Sequence, residues 1–118
     1  VPLRLDLNTW ALGGEWTIGP ETAALNAADG RIAFRFHARD LHLVMGSPRP
    51  GDAIRFRITL DGEAPGDARG GDTDAAGEGV AAEQRLYQLI RQPGRVVDRT
   101  AQITFLDPGV EVFVFTFG

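Results

Sequence analysis

Cysteine is absent from the 118 residues, so this chain forms no disulfide and performs no thiol chemistry. Lysine is absent too, and all 12 basic residues are arginine. We attribute the missing lysine to the codon bias of a GC-rich genome and draw no function from it. Any thiol chemistry that this chain serves must therefore reside in another domain or protein.

Positive charge and long apolar runs are also scarce. The formal net charge is -4 and the pI is near 5.0, which argues against nucleic acid or a membrane surface as the main partner, because no basic stripe is present. No apolar run approaches the roughly 20 residues of a spanning helix. The N-terminal sequence VPLRLDLN lacks the basic and apolar parts of a signal peptide, and we expect the chain to be a processed product or a domain of a longer protein.

The clearest pattern lies in the stretch from Arg31 to Met45, RIAFRFHARDLHLVM. Its first half alternates apolar residues with Arg and His, and alternation resumes after Asp40, with Leu41 and Leu43 on one side and His42 on the other. A period of two predicts strands with one buried and one polar face.

The rest of the chain repeats this pattern between turn signals. Asp29-Gly30 predicts a hairpin turn before Arg31, and Asp107-Pro108-Gly109 predicts another turn. Further predicted strands cover residues 3–7, 15–18, 21–26, 54–60, 83–91, 100–106 and 110–117. About eight or nine short strands with no convincing helix predict an all-β antiparallel sandwich or barrel, as one domain over residues 1–118.

A Gly-, Asp- and Ala-rich segment over residues 63–79 carries almost nothing to bury, and such a loop tends to be functional or disordered. Part of it resembles a calcium-binding loop in spacing. The matching positions are Asp72, Asp74, Gly77 and Glu83, with Ala76 where a third ligand is wanted. Calcium is therefore a possible cofactor, and the alternative is a solvated loop that binds no metal.

Arginine on the polar face of two strands suggests a binding surface, because guanidinium groups pair with carboxylate or phosphate and aromatic rings stack on sugars. The candidate ligand-binding residues are Trp16, Arg35, His37, Arg39, Asp61, Tyr87 and Gln88. The alternative is that these are the ordinary polar outer faces of a sandwich. For Trp10 and Trp16 the alternative is packing in the core or at a sheet edge.

Catalytic patterns are weak. Ser47 is the only serine and precedes a proline, and the two histidines have no neighbouring acid pattern that indicates a nucleophile. Acidic residues concentrate in the Gly-rich segment, which is a poor place for the rigid carboxylate pair of a glycosidase. The sequence thus predicts no catalytic residue, and we expect this domain not to be an enzyme.

Several segments together carry a family resemblance. They are LNTWALGGEWTIG, GRIAFRFHARDLHLVMG, FRITLDGEAPG, RLYQLIRQPG and FLDPGVEVFVFTFG. The chain resembles the C-terminal extension of DipZ-type thiol-disulfide oxidoreductases, in which a cytochrome-c-biogenesis-like membrane region or an anchor precedes a thioredoxin-like domain and this module. The resemblance implies a jelly-roll sandwich similar to carbohydrate-binding modules, placed on the extracytoplasmic side, in the periplasm or cell envelope.

Two functions follow as expectations. In the first, the chain is a noncatalytic accessory module that binds a carbohydrate or an extracytoplasmic protein for the linked thioredoxin-like oxidoreductase. In the second, it binds no free ligand, docks against the thioredoxin-like domain and orients it. An exposed apolar patch would indicate the second, and residues 112–117, VFVFTF, are its candidate unless they form a strand buried on both sides.

Overall fold

The computed structural model describes residues 10–20, 22–49 and 51–117, without the side chain of Phe117. The strands are β1 Trp10–Gly13, β2 Trp16–Ile18, β3 Ala23–Leu25, β4 Gly30–Phe36, β5 Asp40–Gly46, β6 Ile54–Leu60, β7 Glu78–Ala81, β8 Arg85–Arg91, β9 Arg99–Phe105 and β10 Glu111–Phe117. Within the described ranges the helical structure is one 3-10 turn, Gly66–Ala68, and no helix is long and apolar enough to cross a membrane.

The strands form two five-stranded sheets in which paired neighbours run antiparallel. The first sheet has the order β1-β4-β9-β6-β7, and the second has the order β2-β3-β10-β5-β8. The predicted all-β sandwich is confirmed. β7 was not predicted, because four residues inside the Gly-rich segment are too few to show a period. The strand predicted over residues 3–7 lies outside the described residues.

The core lies between the sheets and is built by the alternation that the sequence displays. On β4, Ile32, Phe34 and Phe36 are buried, and on β5 Leu41 and Leu43 are buried. Since successive side chains of a strand point to opposite faces, burial of these residues directs the intervening arginine and histidine side chains outward.

The stretch from Arg31 to Met45 contributes a central strand to each sheet, since β4 lies between β1 and β9 and β5 lies between β10 and β8. The predicted hairpin at Asp29-Gly30 is wrong, because β3 belongs to the second sheet and β4 to the first. Asp29 takes the left-handed conformation with φ 65°, as expected of a tight turn. This turn carries the chain across the sandwich instead of reversing it within one sheet.

The segment over residues 63–77 is held by hydrogen bonds, so the expectation of a structureless loop is corrected. The Thr73 hydroxyl donates to the Leu89 carbonyl at 3.0 Å, and the Asp72 Oδ2 accepts the Gln88 amide at 2.7 Å. Asp74 Oδ1 accepts the Glu78 amide at 2.9 Å. Short polar side chains fold this segment against β8 by satisfying backbone groups, which a hydrophobic pattern does not reveal.

Candidate functional site

The outward side of the first sheet carries four arginines on two strands. We call this surface the arginine face, and it comprises Arg31, Arg35, Arg55, Arg57, Thr59, Thr100, Gln102 and Thr104. Directly opposed residues of antiparallel strands point to the same side. The register pairs Arg31 with Thr104 and Thr104 with Arg57, so one row of polar side chains crosses three strands.

The edge of the arginine face along β4 and β9 is a ladder of four successive pairs. They are His37 with Asp98, Arg35 with Thr100, Ala33 with Gln102, and Arg31 with Thr104. The His37 Nδ1 lies 2.7 Å from an Asp98 carboxylate oxygen, and Arg35 Nη1 donates to the Thr100 hydroxyl at 2.9 Å. Two of the predicted binding residues, Arg35 and His37, therefore lie side by side on one surface.

Asp61 lies close to Arg35 and His37, at the end of β6, which is the neighbour of β9 in the sheet. It follows β6 in the left-handed conformation, with φ 53°. Its Oδ1 accepts the Thr100 amide at 2.9 Å, while its Oδ2 accepts a hydrogen bond from the Arg99 guanidinium. Arg99 in turn donates to the buried Gln92 amide oxygen at 3.3 Å. Asp61 thus fixes the position of Thr100, which orients Arg35.

The arginines on β6 are already paired with carboxylates. Arg55 binds Asp107 through two guanidinium contacts of 2.9 and 2.8 Å and through its backbone amide at 3.0 Å. These hydrogen bonds lower the pKa of Asp107 to about 2 and raise the pKa of Arg55. Arg57 binds Glu78 at 2.8 Å. The Arg31 side chain, in contrast, has no hydrogen bond or ion pair with any residue in the described part of the chain.

Two other predicted binding residues lie away from this surface. Arg39 turns toward its neighbour, with Nε and Nη2 at 3.2 and 3.0 Å from the Asp40 carboxylate at the start of β5. Gln88 is exposed on the outward side of the second sheet, where the register places it opposite His42. The structure therefore does not bring these two together with Arg35.

Of the two predicted aromatic contacts, Tyr87 belongs to the core and Trp16 is half-buried against it. Tyr87 is 1% exposed, and its hydroxyl donates to the Glu83 carbonyl at 2.7 Å and accepts the Ala82 amide at 2.9 Å. The Trp16 and Phe105 rings pack nearly at right angles, with 6.0 Å between their centroids. The placement of Tyr87 as a stacking residue for a ligand is corrected, because alternation along a strand cannot tell which face of an isolated strand is buried when both carry apolar residues.

The candidate calcium ligands are each engaged by other groups of this chain. Asp72 binds the Arg85 guanidinium at 2.8 and 3.2 Å, whereas Asp74 accepts the Glu78 amide. Glu83 lies 3.5 Å from the Arg85 Nε. Among the described residues, no group of three or more His, Cys, Asp or Glu is placed to hold a metal. In the described part of the chain the spacing that resembles a calcium loop serves hydrogen bonds and ion pairs, and calcium binding stays a prediction.

Asp72 is expected to make stability depend on pH. The hydrogen bonds from Arg85, foremost, and from the Gln88 amide lower the pKa of Asp72 in the folded state below 3.8. A lowered folded pKa stabilises the fold above the unfolded pKa, and this contribution is lost as pH falls through the folded pKa. Asp72→Ala should lower the free energy of unfolding by about 1–2 kcal/mol at pH 7.

Urea unfolding at pH 7, 5 and 3 measures this effect. The difference between parent and Asp72→Ala should be largest at pH 7 and 5 and should shrink below about pH 4. Asp67→Ala is the matched control, because the Asp67 side chain is fully exposed and its carboxylate lies as far as 4.0 Å from the Arg69 guanidinium. A difference for Asp72→Ala that stays constant down to pH 3 would contradict the assignment.

A second surface lies at the edge of the sandwich. We call it the apolar cleft, about 500 Å³ in volume, and its lining includes Trp10, Leu12, Ile18, Pro20, Thr22, Phe34, Val112, Phe113, Val114 and Phe115. Trp10, Ile18 and Val114 are 54%, 63% and 51% exposed. Sequence reasoning treated Trp10 as a core or edge residue. The sequence signal for its exposure was a large aromatic residue on a short segment that ends at Gly13-Gly14.

The apolar cleft continues onto the second sheet through Val114. The register aligns Val114 with Val44 and Val44 with Leu86, so these three outward side chains form one row across β10, β5 and β8. Val114 and Leu86 are both exposed. The run predicted over residues 112–117 is therefore a central strand whose outer side is only partly covered, and it contributes an exposed apolar patch.

Comparison with known proteins identifies the fold and the family. A family two carbohydrate esterase from Clostridium thermocellum, solved in complex with cellohexaose, aligns with a TM-score of 0.69 and 13% identity over 93% of this chain. A family two carbohydrate esterase from Cellvibrio japonicus aligns with a TM-score of 0.66 and 11% identity over 90%. The chain spans only 31% and 29% of these two proteins.

No curated protein sequence matches the chain. The family model of the thioredoxin-like C-terminal domain, in contrast, matches residues 1–118, which is the whole chain. The β-sandwich agrees with the fold that the family resemblance implies. The chain belongs to the thioredoxin-like C-terminal domain family.

Proposed function

We propose that this domain is a noncatalytic accessory module that binds carbohydrate for a thioredoxin-like thiol-disulfide oxidoreductase domain of the same parent chain. The parent is anchored in the membrane, and the module lies on the extracytoplasmic side. Family membership supports the linked domain, and the absence of cysteine assigns any thiol chemistry to that domain. Likeness in fold to domains of carbohydrate-active proteins supports a sugar as the ligand.

The observation that carries the proposal is the ladder along β4 and β9. Arg35 and Asp61 come from separated parts of the sequence and both bind Thr100, and His37 pairs with Asp98 beside them. Hydrogen bonds hold the charged groups in place before any ligand arrives, which lowers the entropic cost of binding. A sugar presents hydroxyl groups that accept and donate hydrogen bonds, and such a preorganised row of polar side chains is suited to them.

A glycan array with the 118-residue chain tests this proposal. We expect the unmutated chain to bind at least one class of glycan. Arg35→Gln should bind it about tenfold or more weakly, because one charged hydrogen-bonding group is lost. Gln88→Ala on the opposite sheet is the matched control and should bind like the parent. If the unmutated chain binds no glycan on the array, the sugar-binding function is refuted.

A second candidate function is structural, and the apolar cleft favours it. Trp10, Ile18 and Val114 are more than half exposed around one opening, and exposed apolar patches commonly mark contacts with another protein. The thioredoxin-like domain is the partner that family membership supplies. In this alternative the module binds no free ligand and orients the neighbouring domain through this cleft.

Thermal unfolding of the joined domains distinguishes the two functions. If the cleft docks the thioredoxin-like domain, the module should melt several degrees higher in the joined protein than alone, because a contact made only in the folded state stabilises that state. Val114→Ser should remove most of this increase, whereas Val80→Ser, an exposed valine outside the cleft, should not. Equal melting temperatures for joined and separate domains would refute docking.

A further inference from the structure

The four arginines of the arginine face differ in what they bind. Arg55 and Arg57 each hold a carboxylate, Asp107 and Glu78, through side-chain contacts of 2.8–2.9 Å. Within the described ranges the Arg35 guanidinium binds only the neutral Thr100 hydroxyl, and the Arg31 guanidinium binds no other residue. Among the residues that the structure describes, half of the guanidinium groups on this face therefore lack a negative partner.

We propose that Arg31 and Arg35 form a subsite for the carboxylate of an acidic saccharide, such as a uronic acid unit. This inference rests on the proposed carbohydrate-binding function and names its ligand class. The two arginines lie four positions apart on β4, which places their backbones about 13 Å apart on the same face. Across this distance two long arginine side chains can reach one sugar unit and its acid group from opposite sides.

The chemistry of the face favours a carboxylate. A guanidinium group presents a planar fork of donors that matches the two oxygens of a carboxylate. Arg55 and Asp107 display this bidentate geometry on the same sheet. Arg35 is already oriented, because Nη1 is held by Thr100 and Thr100 is held by Asp61. Its remaining donors have no partner among the described residues, and we expect them to meet an incoming anion.

The sheet topology favours a saccharide over an acidic peptide. β4 is paired with β1 and β9, and β9 is paired with β4 and β6. The backbone of this part of the sheet therefore has no free edge to which a peptide could add as a strand. Neutral polar side chains, Thr104 and Gln102, lie next to the arginines in the register and supply hydrogen bonds for sugar hydroxyls.

Affinity electrophoresis of the 118-residue chain tests the inference. The gels contain polygalacturonate, the same polymer after chemical reduction of its carboxyl groups, or dextran sulfate as a sulfated comparison. We expect polygalacturonate to retard the parent and the reduced polymer to do so about tenfold less. Arg31→Gln and Arg35→Gln should each weaken retention by about tenfold, as expected for loss of a charged hydrogen bond. Arg35→Lys, which keeps the charge but loses the fork, should also weaken retention.

Arg57→Gln is the matched control, because it lies on the same face but has its own carboxylate, and it should be retained like the parent. Circular dichroism at 25 °C verifies that each variant is folded. Equal retention by the reduced and unreduced polymers would overturn the inference while leaving carbohydrate binding intact.

The remaining outcomes also overturn it. Equal losses for Arg57→Gln and Arg35→Gln would indicate nonspecific attraction between charges. Retention by dextran sulfate alone would assign the face to sulfate. Binding of an acidic peptide such as polyglutamate as strongly as polygalacturonate would assign the site to a protein ligand. No retention by any polymer would overturn the inference, and a positive glycan array in that case would still uphold the proposed function.

Discussion

Tyr87→Ala should lower the free energy of unfolding by about 3–5 kcal/mol, the usual cost of removing a large aromatic side chain from a core. The ring is 1% exposed, and its hydroxyl satisfies the Ala82 amide and the Glu83 carbonyl. The loss is a large share of the total stability of a small domain, which is about 5–15 kcal/mol. Urea unfolding at pH 7 measures it.

Two further variants make this result interpretable. Tyr87→Phe keeps the ring and removes the hydroxyl, and it should cost about 1–3 kcal/mol because a buried backbone group loses its partner. Leu86→Ala, one position earlier and exposed, should change stability by less than about 0.5 kcal/mol. Full stability of Tyr87→Ala together with lost ligand binding would place Tyr87 on the surface and contradict its assignment to the core.

Gly77→Ala should lower the free energy of unfolding by about 3 kcal/mol, because backbone strain of about 1–3 kcal/mol and a steric overlap of similar cost act together. Gly77 has φ 88°, and a Cβ there would overlap the Ile58 carbonyl oxygen and the Pro65 ring. The Gly77 carbonyl also accepts the Ile58 amide at 2.7 Å. Thermal and urea unfolding measure the loss.

Gly62→Ala separates the two causes. Gly62 has φ 86°, close to that of Gly77, but a Cβ at this position would have no atom within 4 Å. The variant should lose only the conformational part, about 1 kcal/mol. Equal losses at Gly62 and Gly77 would show that the segment over residues 63–77 does not pack against β6 as described.

Strands were the most predictable part of the fold. In β4, β5, β6 and β9, apolar residues alternate with polar ones over much of their seven positions, and burial of one face follows directly from that alternation. β7 could not be predicted, because its four residues contain little to bury. The sheet to which each strand belongs was also beyond the sequence, as the turn at Asp29-Gly30 illustrates: it connects two sheets with the residues of a hairpin.

The candidate site was predictable residue by residue but not as a surface. Arg35 and His37 were selected for their place on the polar side of one strand. Their partners, Thr100 and Asp98, lie far later in the chain, at separations of 65 and 61 positions. A single sequence contains no signal for that register. Only the folded sheet shows that Asp61 belongs with these residues.

The burial of Tyr87 and the partial burial of Trp16 could not be predicted for a different reason. Both side chains combine an apolar ring with a polar atom, so the sequence allows either a ligand contact or a core position with one hydrogen bond. The structure supplies that bond within the chain, for Trp16 from Nε1 to the Gly13 carbonyl at 2.9 Å. An internal partner for the polar atom removes the need for an external one.

The most direct test of carbohydrate binding on the arginine face is a two-dimensional amide NMR titration of the 118-residue chain with a glycan that the array identifies. Binding there predicts shift changes concentrated at the amides of β4 and β9 around Arg35 and Thr100, with the amides of Trp10, Ile18 and Val114 unchanged. Shift changes confined to Trp10, Ile18 and Val114, or to the second sheet, would contradict it.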